Sequence, residues 1–188
     1  MGYISSSEAK QYLGITTSTD DAMIDTLIER AEGIIEAYTG REFEAATATK
    51  YFDTDNVEGR WLYIWGYDLL TITKLTNGDG VEITSGQYRL EPRNETPKWA
   101  VRLNEDYTWE FDDSDDEISI AGTWGYSATP PYDIAHACAR LTAFLYRQKD
   151  TSADIDRPLM TGDGVTIMPS SIPQDVKSIL DRYKRRIP

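Results

Sequence analysis

His136 follows Asp133 by one helical turn, the spacing of a general base and the carboxylate that would orient it. No serine or cysteine nucleophile sits in a recognisable motif around the pair. Cys138, the single cysteine, lies on the apolar stripe of the same segment, where a thiol packs as a small hydrophobe. Asp53, Asp55 and Glu58 resemble the opening of a calcium loop. Such a loop needs Gly at its sixth position and Glu at its twelfth, and the chain has Glu58 and Ile64 there. A solvated turn is expected instead. The run Asp112, Asp113, Asp115, Asp116, Glu117 would bind a cation weakly, but like charges crowd where water screens them, so a charged hairpin tip is expected. Trp61, Tyr63 and Trp65 alternate and would share one face of a strand, as in a sugar-stacking surface. Strands and subunit interfaces favour the same residue types for their own reasons. No phosphate loop or dinucleotide fingerprint occurs. The expectation is therefore no catalytic residue, no cofactor and no metal.

Composition narrows the classes further. A chain of 188 residues suits one domain with room for an insertion, and can bury roughly 70% of its unfolded surface. One cysteine and one histidine exclude a disulfide framework and make an ordinary zinc site improbable. No apolar run reaches the roughly 18 residues of a membrane span. The opening MGYISSSEAK lacks an apolar signal core, so a soluble protein of a reducing compartment is expected. The net charge of −13 is uneven: −6 over residues 1–44, −9 over 45–126 and +2 over 127–188. Such a surface repels nucleic acid over most of its area. The exception is Lys177, Arg182, Lys184, Arg185 and Arg186, close together near the C-terminus.

Four helices are expected. Ser5 and Glu8 form a capping box for a short one that stops at Gly14. Thr16–Asp21 offers caps and an acidic first turn to a second. Ile24, Leu27, Ile28, Ala31, Ile35 and Tyr38 give that helix an apolar stripe, and Gly40 ends it. Pro131 heads a third helix, with Ile134, Cys138, Leu141 and Leu145 as its buried stripe. Pro173 heads the fourth, with Ser171 and Gln174 as a capping pair and Val176, Ile179, Leu180 and Tyr183 on one face. Residues 150–170 read as a long polar loop or arm. Between the helices, residues 45–126 switch to period two, with six to eight strands and a turn at Asn77-Gly78-Asp79-Gly80. Val81 to Thr84, Trp99, Trp109 and Phe111 are counted among these strands. The fold class is α+β: a helical bundle from 1–44 and 127–188, with 45–126 as an inserted antiparallel β-rich module.

In this order the pieces resemble the head–tail connector (head-completion, adaptor) family of tailed bacteriophages. The residues that carry the resemblance are Glu8-Ala9-Lys10-x-Tyr12-Leu13-Gly14-Ile15, then Asp25-x-Leu27-Ile28-x-x-Ala31 and Ala37-Tyr38-Thr39-Gly40-Arg41. After them come the Asn77–Gly80 turn, Tyr88-x-Leu90, Gly122-Thr123-Trp124-Gly125-Tyr126, Pro130-Pro131 and the Ile134–Tyr146 helix. The acidic Asp112–Glu117 stretch has no family counterpart.

The resemblance implies a non-enzymatic virion neck protein, assembled in the host cytoplasm. It implies a homo-oligomeric ring, twelvefold in such families, beneath the portal protein. The ring would extend the DNA channel, pass packaged DNA without reading its sequence, and meet a tail-side neck or stopper protein. No membrane or cofactor is implied. The C-terminal segment is the part such proteins dock into the portal, which nominates Val176, Ile179, Leu180 and Tyr183 with Arg182, Lys184, Arg185 and Arg186. The last helix is expected to be less ordered before it docks, because short helices gain their stability from packing. The competing readings are a tail-completion protein of similar build and an aromatic-rich glycan-binding module.

Overall fold

Ser5 caps the first helix, α1 (Ser6–Leu13): its hydroxyl accepts from the Glu8 backbone N–H, and the Glu8 carboxylate accepts from the Ser5 backbone N–H. That bond holds the Glu8 carboxyl below its ordinary pKa. Gly14 closes the helix at φ 73°, a backbone that costs glycine little. The same logic ends α2 (Asp21–Thr39) at Gly40, φ 67°. These elements belong to a computed structural model that describes residues 2–112, 117–148, 159–160, 166–167 and 172–185.

The chain divides into two units, Met1–Thr39 with Pro131–Lys184, and Gly40–Pro130 with Arg185–Pro188. The first is helical. Ile24, Leu27, Ile28, Ala31 and Ile35 of α2 are buried, as are Ile134, Ala137, Cys138 and Leu141 of α3 (Tyr132–Gln148). Two apolar stripes must cover each other or something else, and here α2 and α3 pack together, with α1 and α4 (Gln174–Leu180) against α3. Phe144 and Leu145 are only half-buried, so the cover thins towards the end of α3. The stretch read as a loop contains a short ladder, Leu159–Met160 against Thr166–Ile167. Two-residue strands carry too few alternations to show a period of two in sequence.

The second unit holds two antiparallel sheets. Strands β1 (Ala46–Phe52), β7 (Ile118–Trp124) and β4 (Leu69–Thr76) form one, in the order β1-β7-β4. Strands β2 (Val57–Glu58), β3 (Trp61–Tyr63), β6 (Ala100–Leu103) and β5 (Tyr88–Glu91) form the other, in the order β2-β3-β6-β5. Alternate residues of β7, Ile118, Ile120 and Trp124, face one core with Phe52, Leu62, Leu69, Leu75, Val101 and Leu103. The Asn77–Gly80 turn is present, with the Gly80 N–H donating to the Asn77 carbonyl at 3.0 Å.

Four strand expectations change. Trp99 stands just before β6, where its N–H donates to the Glu91 carbonyl at 3.0 Å. Val81–Thr84 pairs through a single bridge, Thr76 to Glu82. Trp65 follows β3 in a turn, where the Tyr67 N–H donates to the Ile64 carbonyl. Trp109 and Phe111 lie outside any ladder, because a side chain replaces the partner strand. Asn77 accepts from the Glu110 N–H at 3.1 Å and donates to the Thr108 carbonyl at 3.2 Å.

Gly122 marks where two strands come closest. A Cβ there would stand 2.2 Å from the Thr71 carbonyl oxygen. The pairing of β4 with β7 is irregular between Leu69 and Thr71 and between Ile72 and Lys74, so the bulged backbone presses on the glycine. Gly122→Ala is expected to cost about 1–3 kcal/mol by overpacking. Urea titration checks it; a midpoint equal to wild type would mean the bulge relaxes freely.

Candidate docking surfaces

The chemistry candidates are placed first. The Asp133 carboxylate accepts from the Tyr183 hydroxyl at 2.6 Å and from Arg182 at 3.1 Å. His136 is exposed, one ring edge against Tyr12. Asp133 therefore orients the end of the chain, and no base dyad forms. Cys138 is fully buried and its thiol is pushed up to about 12, chiefly by desolvation. At neutral pH it carries almost no thiolate. Asp53 caps a single 3-10 turn, accepting from the Asp55 N–H at 3.0 Å, a turn's work rather than a ligand's. Among the described residues no three acidic, His or Cys side chains gather to hold a metal ion. Asp113–Asp116 of the acidic run lie outside the described residues.

The nominated C-terminal residues are spread over three jobs. Val176 and Leu180 are fully buried in the helical unit, and Ile179 is half-buried. The face expected to await a partner is already covered by the subunit's own helices. The physical reason is length: a seven-residue helix does not persist in water without packing. No side chain caps its start, and Ser171 lies outside the described residues. Several charged residues in and after this helix are engaged too, although Lys177, Arg182 and Lys184 stay exposed. Asp175 pairs with Arg140 at 2.8 Å, Arg182 with Asp133, and the Lys184 ammonium stands 5.2 Å from the Tyr38 ring centre. The Tyr38 hydroxyl donates to Asp181, which raises its pKa. Arg186 lies outside the described residues.

Arg185 has a different setting, in the β unit. Asp68, 7% exposed, accepts from Arg41 at 2.6 Å and from Arg185 at 2.8 Å. Burial lowers the Arg185 pKa, opposed by the Asp68 charge. The Gly125 N–H donates to the Asp68 backbone carbonyl at 2.8 Å, and Arg41 lies over the Tyr126 ring at 5.3 Å. Gly125, Tyr126, Asp68 and the two arginines thus form one cluster. Gly125 is needed there: its φ is 139°, and a Cβ would stand 2.7 Å from the Glu44 carbonyl oxygen.

Beside this cluster lies the aromatic surface. Strand β3 buries Leu62 and turns Trp61 and Tyr63 outward. Their rings lie parallel within 7°, and Trp99 is parallel to both, with centroids 6.0–6.2 Å apart. Trp65 continues the stack from its turn, 5.6 Å from Tyr63. Arg102 covers the other end, 4.9 Å from the Trp61 ring centre. Three of the rings follow from the alternation at 61–65. The fourth, Trp99, comes from 34 residues further on in a neighbouring strand's approach, and only pairing of β3 with β6 reveals it.

A family model described as head completion protein matches residues 3–186. The chain belongs to that family. Head completion is a structural role, and the helical bundle with a β unit is its fold here. No curated protein sequence matches the chain. Among solved structures, a chain of the neck of an empty gene transfer agent particle, computed with C6 symmetry, is similar with a TM-score of 0.66. It is 19% identical, and the match covers 98% of this chain and 91% of that one. A chain of the native particle's neck, computed with C12 symmetry, gives 0.65 at 17% identity over 96% and 88%. A chain of the native virion gives 0.63 at 18% identity over 98% and 91%.

Proposed function

We propose that this head completion protein forms a closed ring in the virion neck, beneath the portal. There it extends the DNA channel and presents a surface to the next neck or tail-side protein. The observation that carries this reading is the likeness, over nearly the whole chain, to subunits of gene transfer agent necks computed with sixfold and twelvefold symmetry. The charge supports it: a wall of net −13 subunits offers packaged DNA no adhesive surface. No catalytic group is asked for, and the protonated Cys138 and a His136 set against the Tyr12 ring suit that.

The portal-facing element is the fourth helix with the residues after it. Val176 and Leu180 hold the helix on its own subunit, while Lys177, Arg182 and Lys184 remain exposed for contact. Their charges steer the encounter and set its salt dependence. Electron microscopy of the purified protein with its portal protein tests the reading. Twelvefold rings on the portal are the expected result, and binding that weakens when Lys177, Arg182 and Lys184 are changed to Ser. A protein that stays off the portal at every concentration would sink it.

A further inference from the structure

Tyr132 is 96% exposed, more than any other large apolar or aromatic side chain among the described residues. Pro130 and Pro131 precede it. They restrict the backbone that presents the ring, so little backbone freedom is left to lose on docking. Thr129 and both prolines are uncharged. A phenol held into water on a stiff stalk adds nothing to the stability of its own subunit.

The β unit carries a groove of about 780 Å³ bordered by Tyr63, Trp65, Tyr67 and Trp99, with Pro92 and Pro97 at one side. Trp65, Tyr67 and Trp99 are 52%, 41% and 48% exposed. Its guanidiniums, Arg41 and Arg185, are both engaged by Asp68, and Glu58 and Glu95 add negative charge. The groove is therefore poorly made for an anion. Aromatic-lined grooves suit proline-bearing segments, whose preformed backbone and flat rings lie against aromatic faces.

We propose that this groove receives the Pro130-Pro131-Tyr132 segment of a second copy of the chain. The proposal rests on the ring reading above. A ring is built from head-to-tail contacts, in which two different patches of one chain must be complementary. Charge favours this pair of patches. Two copies of net −13 repel, so their contact has to use surfaces that are uncharged or internally paired. The segment is neutral and so is not repelled by the groove, whose Arg41 and Arg185 against Asp68, Glu58 and Glu95 leave it one charge negative. The Tyr132 hydroxyl meets acceptors in the carboxylates of Glu58 and Glu95 at the rim.

The test uses the full chain assembled on its portal. Tyr132→Cys and Trp65→Cys chains are mixed, assembled and treated with a short bismaleimide; Cys138, buried and protonated, stays silent. A covalent dimer is expected from the mixture and from neither variant alone. Tyr132→Ala and Trp99→Ala are each expected to weaken subunit association at least tenfold. Tyr132→Ala is also expected to leave the far-ultraviolet circular dichroism and the melting temperature unchanged. Assembly of Tyr132→Ala as in wild type overturns the proposal. So does loss confined to Trp99→Ala, which assigns the groove to a different protein. A change in tryptophan fluorescence with neutral oligosaccharide that Tyr132 variants do not affect also overturns it, in favour of glycan. If wild type forms no ring on the portal, the ring reading fails first and by a separate observation.

Discussion

Asp68→Ala is expected to destabilise the β unit by about 3 kcal/mol, the lower end of the cost of stranding buried charge. Asp68 is 7% exposed, and its two partners, Arg41 and Arg185, are 19% and 16% exposed. Removing the carboxylate leaves two guanidiniums side by side, each desolvated and each repelling the other. The lower end applies because both arginines still reach some water. All five tryptophans, Trp61, Trp65, Trp99, Trp109 and Trp124, lie in this unit. Tryptophan fluorescence in denaturant therefore reads its unfolding directly. Asp68→Asn keeps shape and one acceptor but not charge, and is expected to recover less than half of the loss. A fluorescence midpoint for Asp68→Ala within error of wild type would show that the cluster is not structural.

Leu141→Ala is expected to cost about 2–5 kcal/mol, and Ile28→Ala a similar amount. Leu141 is fully buried on α3, and Ile28 is 6% exposed on α2. Each truncation removes apolar surface and leaves a space that rigid helices fill only in part. The helical band of the circular dichroism spectrum reads this loss, because the helices lie in one unit and the tryptophans in the other. A cost under roughly 0.5 kcal/mol, the level of surface sites, would rule out the α2–α3 core.

Local signals were the legible ones. Ser5 and Glu8 cap α1 because both partners lie within one turn, and the α2 stripe is readable because 3.6-residue periodicity survives in the letters. Asp68 is different. Its partners stand 27 and 117 positions away, and no periodicity links Arg185 to a corner between strands. Trp109 and Phe111 differ for a related reason. They have strand-like composition, but the backbone beside them is held by one buried amide, Asn77, whose role depends on a fold already formed. The last helix shows the limit from the other side. Its apolar face was plain, but a sequence does not say whether Val176 and Leu180 cover a neighbour in the same chain or in another.

The ladder of β1 with β7 has a kinetic consequence. Ala46 sits opposite Trp124, so the ladder clamps together the two ends of the stretch from Gly40 to Pro130. For the helices, zipping that ladder shortens the loop that α2 and α3 must close, from about ninety residues to about a dozen. Loop-closure entropy scales with the logarithm of length, so the saving is roughly 2 kcal/mol. Closing the ladder first would cost the same long loop that it spares the helices, against the usual head start of local helical contacts; tryptophan signals that recover no later than helical ones on refolding would show that the ladder leads.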